Sequence, residues 1–109
     1  MSSTDTAGAP SAPHPRHDLD PLLLHGVRFS VLAIAVSVGE IAFSYVCDEL
    51  QVSKSVLSKQ LTTLEEAGYV RVSKVADGRQ ARTWIHATGE GQAAFGRHRA
   101  ALEAIAGGA

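Results

Sequence analysis

The stretch from Val52 to Val70, VSKSVLSKQLTTLEEAGYV, constrains this chain more than any other. Leu57, Leu61 and Leu64 repeat at a four-then-three spacing, which places them on one stripe of a helix. At about 100° per residue, Ser55, Lys59 and Thr62 fall nearly opposite that stripe. The opposite face therefore carries small hydroxyls and an ammonium in place of the Glu/Lys mixture of an idle solvated surface. Ser53 is placed to cap the first turn through its hydroxyl, and Ala67-Gly68 is a stop signal. A leucine ridge is thus expected to present a polar face outward from a helix with fixed ends.

The flanks give that helix a context. Ile41 to Leu50 reads as a shorter helix with Phe43, Val46, Cys47 and Leu50 toward the core, and Gln51-Val52-Ser53 leaves room for only a tight turn. Downstream, Tyr69 to Val75 and Ala81 to His86 read as strands around the turn Ala76-Asp77-Gly78-Arg79-Gln80. Alternation sets Val70, Val72 and Lys74 on one side of the first strand and Arg71 and Ser73 on the other. In the second strand Ala81, Thr83 and Ile85 alternate with Arg82, Trp84 and His86. Helix, tight turn, capped helix and hairpin are the order of a winged helix-turn-helix, a mainly α fold with a small β-hairpin wing (α+β). The second helix of such a motif fits a DNA major groove, and the hairpin reaches the adjacent backbone or minor groove. Arg79 stands at or beside the tip, from which a guanidinium can grip phosphate or enter a minor groove. Trp84 reads as a packing residue over the sheet or the last helix, with stacking on a base as the alternative.

A net charge of -1 argues, at first sight, against a polyanionic partner. Its distribution reverses the argument. Residues 51–86 hold Lys54, Lys59, Arg71, Lys74, Arg79 and Arg82 against Glu65, Glu66 and Asp77, so positive charge collects on the proposed reading elements. Acidic excess is confined to residues 1–50, and the remainder balances. The chain has 109 residues, 45% hydrophobic and 19% charged, which fits one domain with a modest core. Cys47 is the single cysteine and reads as a small buried hydrophobe; no disulfide is possible within the chain. No nucleophile is paired with a base and no Gly-rich phosphate loop occurs, so no enzyme is expected. Val27 to Val38 is too short for a bilayer and contains Arg28, Ser30 and Ser37, and no secretory signal pattern opens the chain. A soluble cytoplasmic protein without a membrane partner is expected.

Residues 1–17 read as a flexible leader, in which Pro10, Pro13 and Pro15 exclude regular structure and His14 and His17 are incidental. Residues 18–106 read as the folded domain and 107–109 as a flexible terminus. Asp20 caps a helix with Pro21 at its first position. Leu22, Leu23 and Leu24 exceed the needs of one packed face, leaving core and partner subunit both open to them. Gly26 either interrupts this helix or allows a close approach. Val27 to Val38 follows as a buried helix, Val38-Gly39-Glu40 as a loop, and Ile41 as a short extended piece or the next helix start. Ser44 meets a phosphate if it caps that helix. Thr88 caps a terminal helix from Gly89 to about Ala106, which Gly91 and Gly96 weaken by roughly 1 kcal/mol each relative to alanine. Phe95, Leu102 and Ile105, with His98 between them, offer a face to the same helix of a second subunit.

From Leu19 to about Ile105 the chain resembles the winged-helix transcriptional regulators of the MarR/ArsR type, particularly their short single-domain branch. The resemblance rests on LDPLLLHGVRFSVLAIA, ELQVSKSVLSKQLTTLEEAGYVRVSK and DGRQARTWIHATGEGQAAF, of which the second is the most specific. It implies a helix that reads the major groove, a wing arginine on the minor groove or backbone, and end helices that form a two-fold dimer. Carried onto this chain, Ser53, Lys54, Ser55, Val56, Ser58, Lys59 and Thr63 become DNA-facing residues, with Lys74, Arg79 and Arg82 on the wing. Val56 is placed either on the DNA or on the flank of the core. Leu22, Leu23, Phe95, Leu102 and Ile105 become the dimerisation set. The family often has a proline where this chain has Gly26, and the metal-sensing Cys/His sets of some relatives are absent. No metal or cofactor is expected, and no constellation points to a small-molecule effector.

The expected function is sequence-specific binding of double-stranded DNA by a homodimeric transcriptional regulator, in the sense of a repressor. The competing reading is a winged helix that binds another protein through its apolar ends without reading DNA. Salt separates them, because phosphate contacts weaken steeply with ionic strength and an apolar interface does not.

Overall fold

The structure, a computed structural model, describes residues 13–107; most of the expected leader and the last two residues lie outside that range. The described chain opens with two 3-10 turns, Pro15–Asp18 and Pro21–Leu24, followed by helix α1, Gly26–Val38. Strand β1 is Glu40–Ala42, and helices α2, Phe43–Leu50, and α3, Lys54–Glu66, make the helix-turn-helix. Strands β2, Val70–Asp77, and β3, Gln80–Ala87, form the wing, and α4, Gly89–Ala106, closes the chain.

The N-terminal side departs from expectation. His14 Nδ1 accepts from the Arg16 N–H at 3.0 Å and caps the first turn, so regular structure begins inside the stretch read as leader. Pro15 supplies the fixed φ that a first turn uses, which is why proline opens it here instead of excluding it. Asp20 and Pro21 act as cap and first residue, but of a single 3-10 turn. Gly26 is the first residue of α1 and marks the break between turn and helix. α1 buries only Val31, Leu32 and Ala35 fully; Val38 is 59% exposed, so the helix is less enclosed than its apolar run suggests.

Ile41 is extended, and β1 makes the wing a three-stranded antiparallel sheet of order β1-β3-β2. Ile41 pairs with Ile85, and Ile85 with Val72, so one sheet face carries the apolar residues that close on α1 and α3. The strands of the hairpin run closer to the tip than the turn signals indicate, β2 by two residues and β3 by one. Asp77 pairs with Gln80, leaving Gly78-Arg79 as a two-residue loop with Gly78 at φ +64°. Leu57, Leu61 and Leu64 meet Leu23, Leu32, Val46 and Ile85 in one core. Phe43, Cys47 and Leu50 pack against it from α2.

Gly91 has a steric reason that composition hides. A Cβ there would stand 2.1 Å from the carbonyl oxygen of Tyr69, a backbone atom that already accepts the Thr88 N–H at 3.1 Å. Gly96 faces open space. The two glycines should therefore respond oppositely to alanine. In urea denaturation, Gly91→Ala is expected to lose about 1–3 kcal/mol through overpacking, whereas Gly96→Ala gains up to about 1 kcal/mol of helix propensity. Equal responses would mean that the contact between α4 and Tyr69 is absent in solution.

Candidate nucleic-acid interface

α3 forms where its sequence sets its ends. The Ser53 hydroxyl accepts the Val56 N–H at 3.1 Å as the N-cap. At the other end Gly68, at φ +82°, lets its N–H reach the Glu65 carbonyl at 3.0 Å while the Tyr69 N–H reaches that of Leu64 at 2.9 Å. This double closure is a Schellman turn, and it stops the helix one turn after its last leucine. The turn before α3 is equally defined, with Gln51 at φ 55° and the Val52 N–H bound to the Cys47 carbonyl at 3.1 Å.

Between those ends, Leu57, Gln60, Leu61 and Leu64 are buried, while Lys54, Ser55, Ser58, Lys59 and Thr62 are exposed. Val56 is 42% exposed and lies on the outer face, outside the core cluster. Two expected contact residues are partly withdrawn. Thr63 is half-buried and its hydroxyl turns back toward the Lys59 carbonyl at 3.5 Å. The Ser53 hydroxyl is occupied as a cap and by Ser55 Oγ at 3.2 Å. Ser44, at the start of α2, is exposed but is not the cap; Ala42 holds that position.

On the wing, strand pairing divides the cations. Lys74 pairs with Thr83 on the same side as Val72 and Ile85, the side that closes on the helices. Arg82 pairs with Val75, and Arg71 with His86, on the opposite side, because partners in an antiparallel pair share a face. Arg79 is exposed in the loop between them. Lys74 and Arg82 therefore leave the hairpin in opposite directions. Trp84 shares Arg82's side, next to Ala42 and Ser73, and does not cover the last helix.

Two polar contacts that no local sequence pattern indicates hold α3 and the turn after it. The Gln60 side chain is buried and its Oε1 accepts from Arg28 Nη1 of α1 at 2.6 Å; Arg28 Nε also donates to the Leu22 carbonyl at 2.7 Å. Asp20 is the second support. One carboxylate oxygen accepts the Leu22 N–H at 3.0 Å, the other accepts the Tyr69 hydroxyl at 2.5 Å, and the Asp20 N–H donates to His98 Nδ1 at 2.9 Å. His98, 1% exposed, thereby ties α4 to the N-terminal turn. The sole hint in the sequence was a histidine within an apolar helical face.

The dimerisation set is also sorted. Leu23 is in the core and Phe95 stacks on Phe29 with centroids 5.4 Å apart, so both are used within one chain. Leu22 and Leu102 are half-buried and Ile105 is exposed. Leu24, 61% exposed, is the member of the leucine triplet that faces outward. Burial, with Asp48 beside it, raises the Cys47 thiol's pKa, and Lys54 lowers it less; the net shift opposes thiolate chemistry. Among the described residues, no group of three or more His, Cys, Asp or Glu could hold a metal ion, and no helix is long and apolar enough to cross a membrane.

The hydrogen bond to Asp20, then burial and the Asp20 charge, push the Tyr69 hydroxyl up to about 12 from an ordinary value of 10.0. A raised tyrosine pKa contributes stability that is fully present below 10.0 and is lost as pH rises through about 12. In a Tyr45→Phe background, which leaves Tyr69 as the one tyrosine, the phenolate absorbance should titrate with a midpoint near 12. Adding Asp20→Asn should lower that midpoint. A midpoint unmoved by Asp20→Asn would remove the carboxylate from this contact.

Residues 27–106 match the family described as a winged helix DNA-binding domain. Among solved structures, the transcriptional regulator homologue protein from Pyrococcus horikoshii OT3 is 25% identical with a TM-score of 0.76; the match covers 80% of this chain and 86% of that one. The M. tuberculosis transcriptional regulator MOSR, solved in complex with DNA, is 26% identical with a TM-score of 0.65, over 84% of this chain and 65% of that one. A MarR family transcriptional regulator from Rhodococcus sp. RHA1 is also 26% identical with a TM-score of 0.65, over 86% of this chain and 66% of its own. No curated protein matches the chain.

Proposed function

The chain belongs to the winged helix DNA-binding domain family, and from that premise we propose that it is a homodimeric transcriptional regulator of the MarR/ArsR kind that reads double-stranded DNA. The observation that carries this reading is the division of α3, with its leucines and Gln60 inward and Lys54, Ser55, Val56, Ser58 and Lys59 outward. A capped helix with such a face is suited to the major groove, where lysines meet phosphate or guanine edges and Val56 meets a thymine methyl. Arg79 at the hairpin loop and Lys74 on the helix-facing side supply backbone or minor-groove contacts, and Arg82 serves from the hairpin's other side. The MOSR structure with DNA is a precedent for this use of the fold. Repression follows from occupancy of an operator, and the site of action is the cytoplasm.

Two reading heads on one duplex need a two-fold partner. The outward Leu24 and Ile105, with the half-buried Leu22 and Leu102, are the apolar residues near the chain ends that one protomer leaves for a second. Sedimentation should show a dimer that dissociates in the double variant Leu24→Glu/Ile105→Glu without loss of helical circular dichroism. A wild-type monomer at every concentration would reject the dimer.

DNA reading is tested by fluorescence anisotropy on duplexes selected from a random library. Removal of one phosphate contact is expected to weaken binding and to reduce the slope of log affinity against log salt by about 1. Lys59→Ala and Arg79→Ala should each do so. Unchanged affinity and slope in both variants would move the interface off α3 and the wing.

A further inference from the structure

At the open β1 edge of the sheet lies a hollow of about 430 Å³ between the end of α1, the start of α2, Ile41 and Ala42 of β1, and β3. Ile34 and Val38, one helical turn apart on α1, form one wall. Tyr45 forms another; it points outward from α2, 52% exposed, while Val46 beside it is wholly buried. Trp84 lines the hollow from β3, where its direct partner on β1 is the small Ala42, so no bulky side chain stands opposite the indole on that strand. Glu40 completes the lining and is its one charged member. Its carboxylate is half-exposed and lies 3.9 Å from His86 Nδ1 on the neighbouring strand.

We propose that this hollow binds a lipophilic organic cation, such as an aryl or alkyl ammonium compound. Each wall contributes to that choice. Aromatic faces attract cations through their quadrupole, and Trp and Tyr are the stronger of the common rings. Ile34 and Val38 give apolar contact to an alkyl or aryl body, and Glu40 supplies the opposite charge. The volume is in the range of small-molecule sites, about 300–1,000 Å³. Charge also decides against the obvious competitor. A nucleic-acid phosphate would meet the Glu40 carboxylate here, so this face lies outside the DNA interface. Arg82 lines a separate, smaller hollow with Val75 and Ala76 on the far side of Trp84, and is not part of this lining. The inference does not depend on DNA reading, since its test contains no DNA.

Trp84 is the chain's single tryptophan and reports directly on the hollow. The full chain is titrated with benzyltrimethylammonium and, separately, with its neutral isostere dimethylbenzylcarbinol, following Trp84 emission. A saturable change is expected, with the cation bound roughly tenfold more tightly than the alcohol. Glu40→Gln should erase most of that preference, and Tyr45→Leu should weaken the cation while sparing the fold by circular dichroism. The site is overturned if the cation gives no saturable change. It is equally overturned if cation and alcohol bind alike to the unaltered chain, or if Glu40→Gln leaves the preference intact.

Discussion

A helix can present a polar face to a large partner only if its other face is held, and α3 is held by chemistry of two kinds. Burial of Leu57, Leu61 and Leu64 supplies the non-directional part, of order 1.5–3 kcal/mol for each side chain removed from water. Hydrophobic contact alone lets a helix slide or roll by small amounts. The bond from Arg28 to Gln60 does not, because a buried amide left without its partner costs the full desolvation of that group. The leucines decide that α3 is docked, and Gln60 decides its rotation about its own axis. That rotation determines whether Ser55 and Lys59 face outward together.

The same arginine connects the helix to the chain's beginning. Arg28 binds the Leu22 carbonyl with one nitrogen and Gln60 with another, so the Pro21–Leu24 turn and α3 are fixed to one guanidinium. Asp20 joins that turn to Tyr69, just beyond the end of α3, and to His98 of α4. On the dimer reading, this arrangement has a mechanical consequence. A partner packed on Leu24 and Ile105 would be linked to each reading helix through short polar contacts, and the spacing of the two heads would be set by them. Half-sites about one DNA turn apart require such rigidity between subunit contact and groove contact.

What the sequence made legible was local. The Ser53 cap, the Gly68 stop, the Thr88 cap and the hairpin alternation each depend on neighbours within a few positions, and each occurs as its residues indicate. The polar contacts that tie the N-terminal turn and α1 to α3, to the turn after it and to α4 join residues 32, 49 and 78 positions apart. No periodicity announces them, since Gln60 looks like one more polar residue beside a leucine stripe until Arg28 is seen opposite. Pairing of β1 was hidden for a related reason. Three residues are too few to show alternation, and Ile41 earns its extended conformation from Ile85, far along the chain. The hairpin tip was tighter than expected because Ala76 and Ala81, weak strand formers alone, pair across it. Leu23 and Phe95 fit an interface and a core equally well by pattern, because an apolar residue near a chain end suits either; the common core holds Leu23, and the Phe29 ring holds Phe95.

The period of two in a strand governs how this wing can use its charges. Lys74 and Arg82 are both cations of one hairpin, and by count they reinforce one another; by register they oppose, one on each face. A wing laid flat against a phosphate backbone would engage only one of them, whereas a hairpin entering a groove edge-on would place walls beside both. Arg79 at the loop favours the second geometry, since it leads the tip and serves either wall. Toward β1 the outer face changes character, with Glu40, Trp84 and Tyr45 in place of cations. Negative charge and aromatic surface at that edge limit how far nucleic acid can extend across the sheet toward β1.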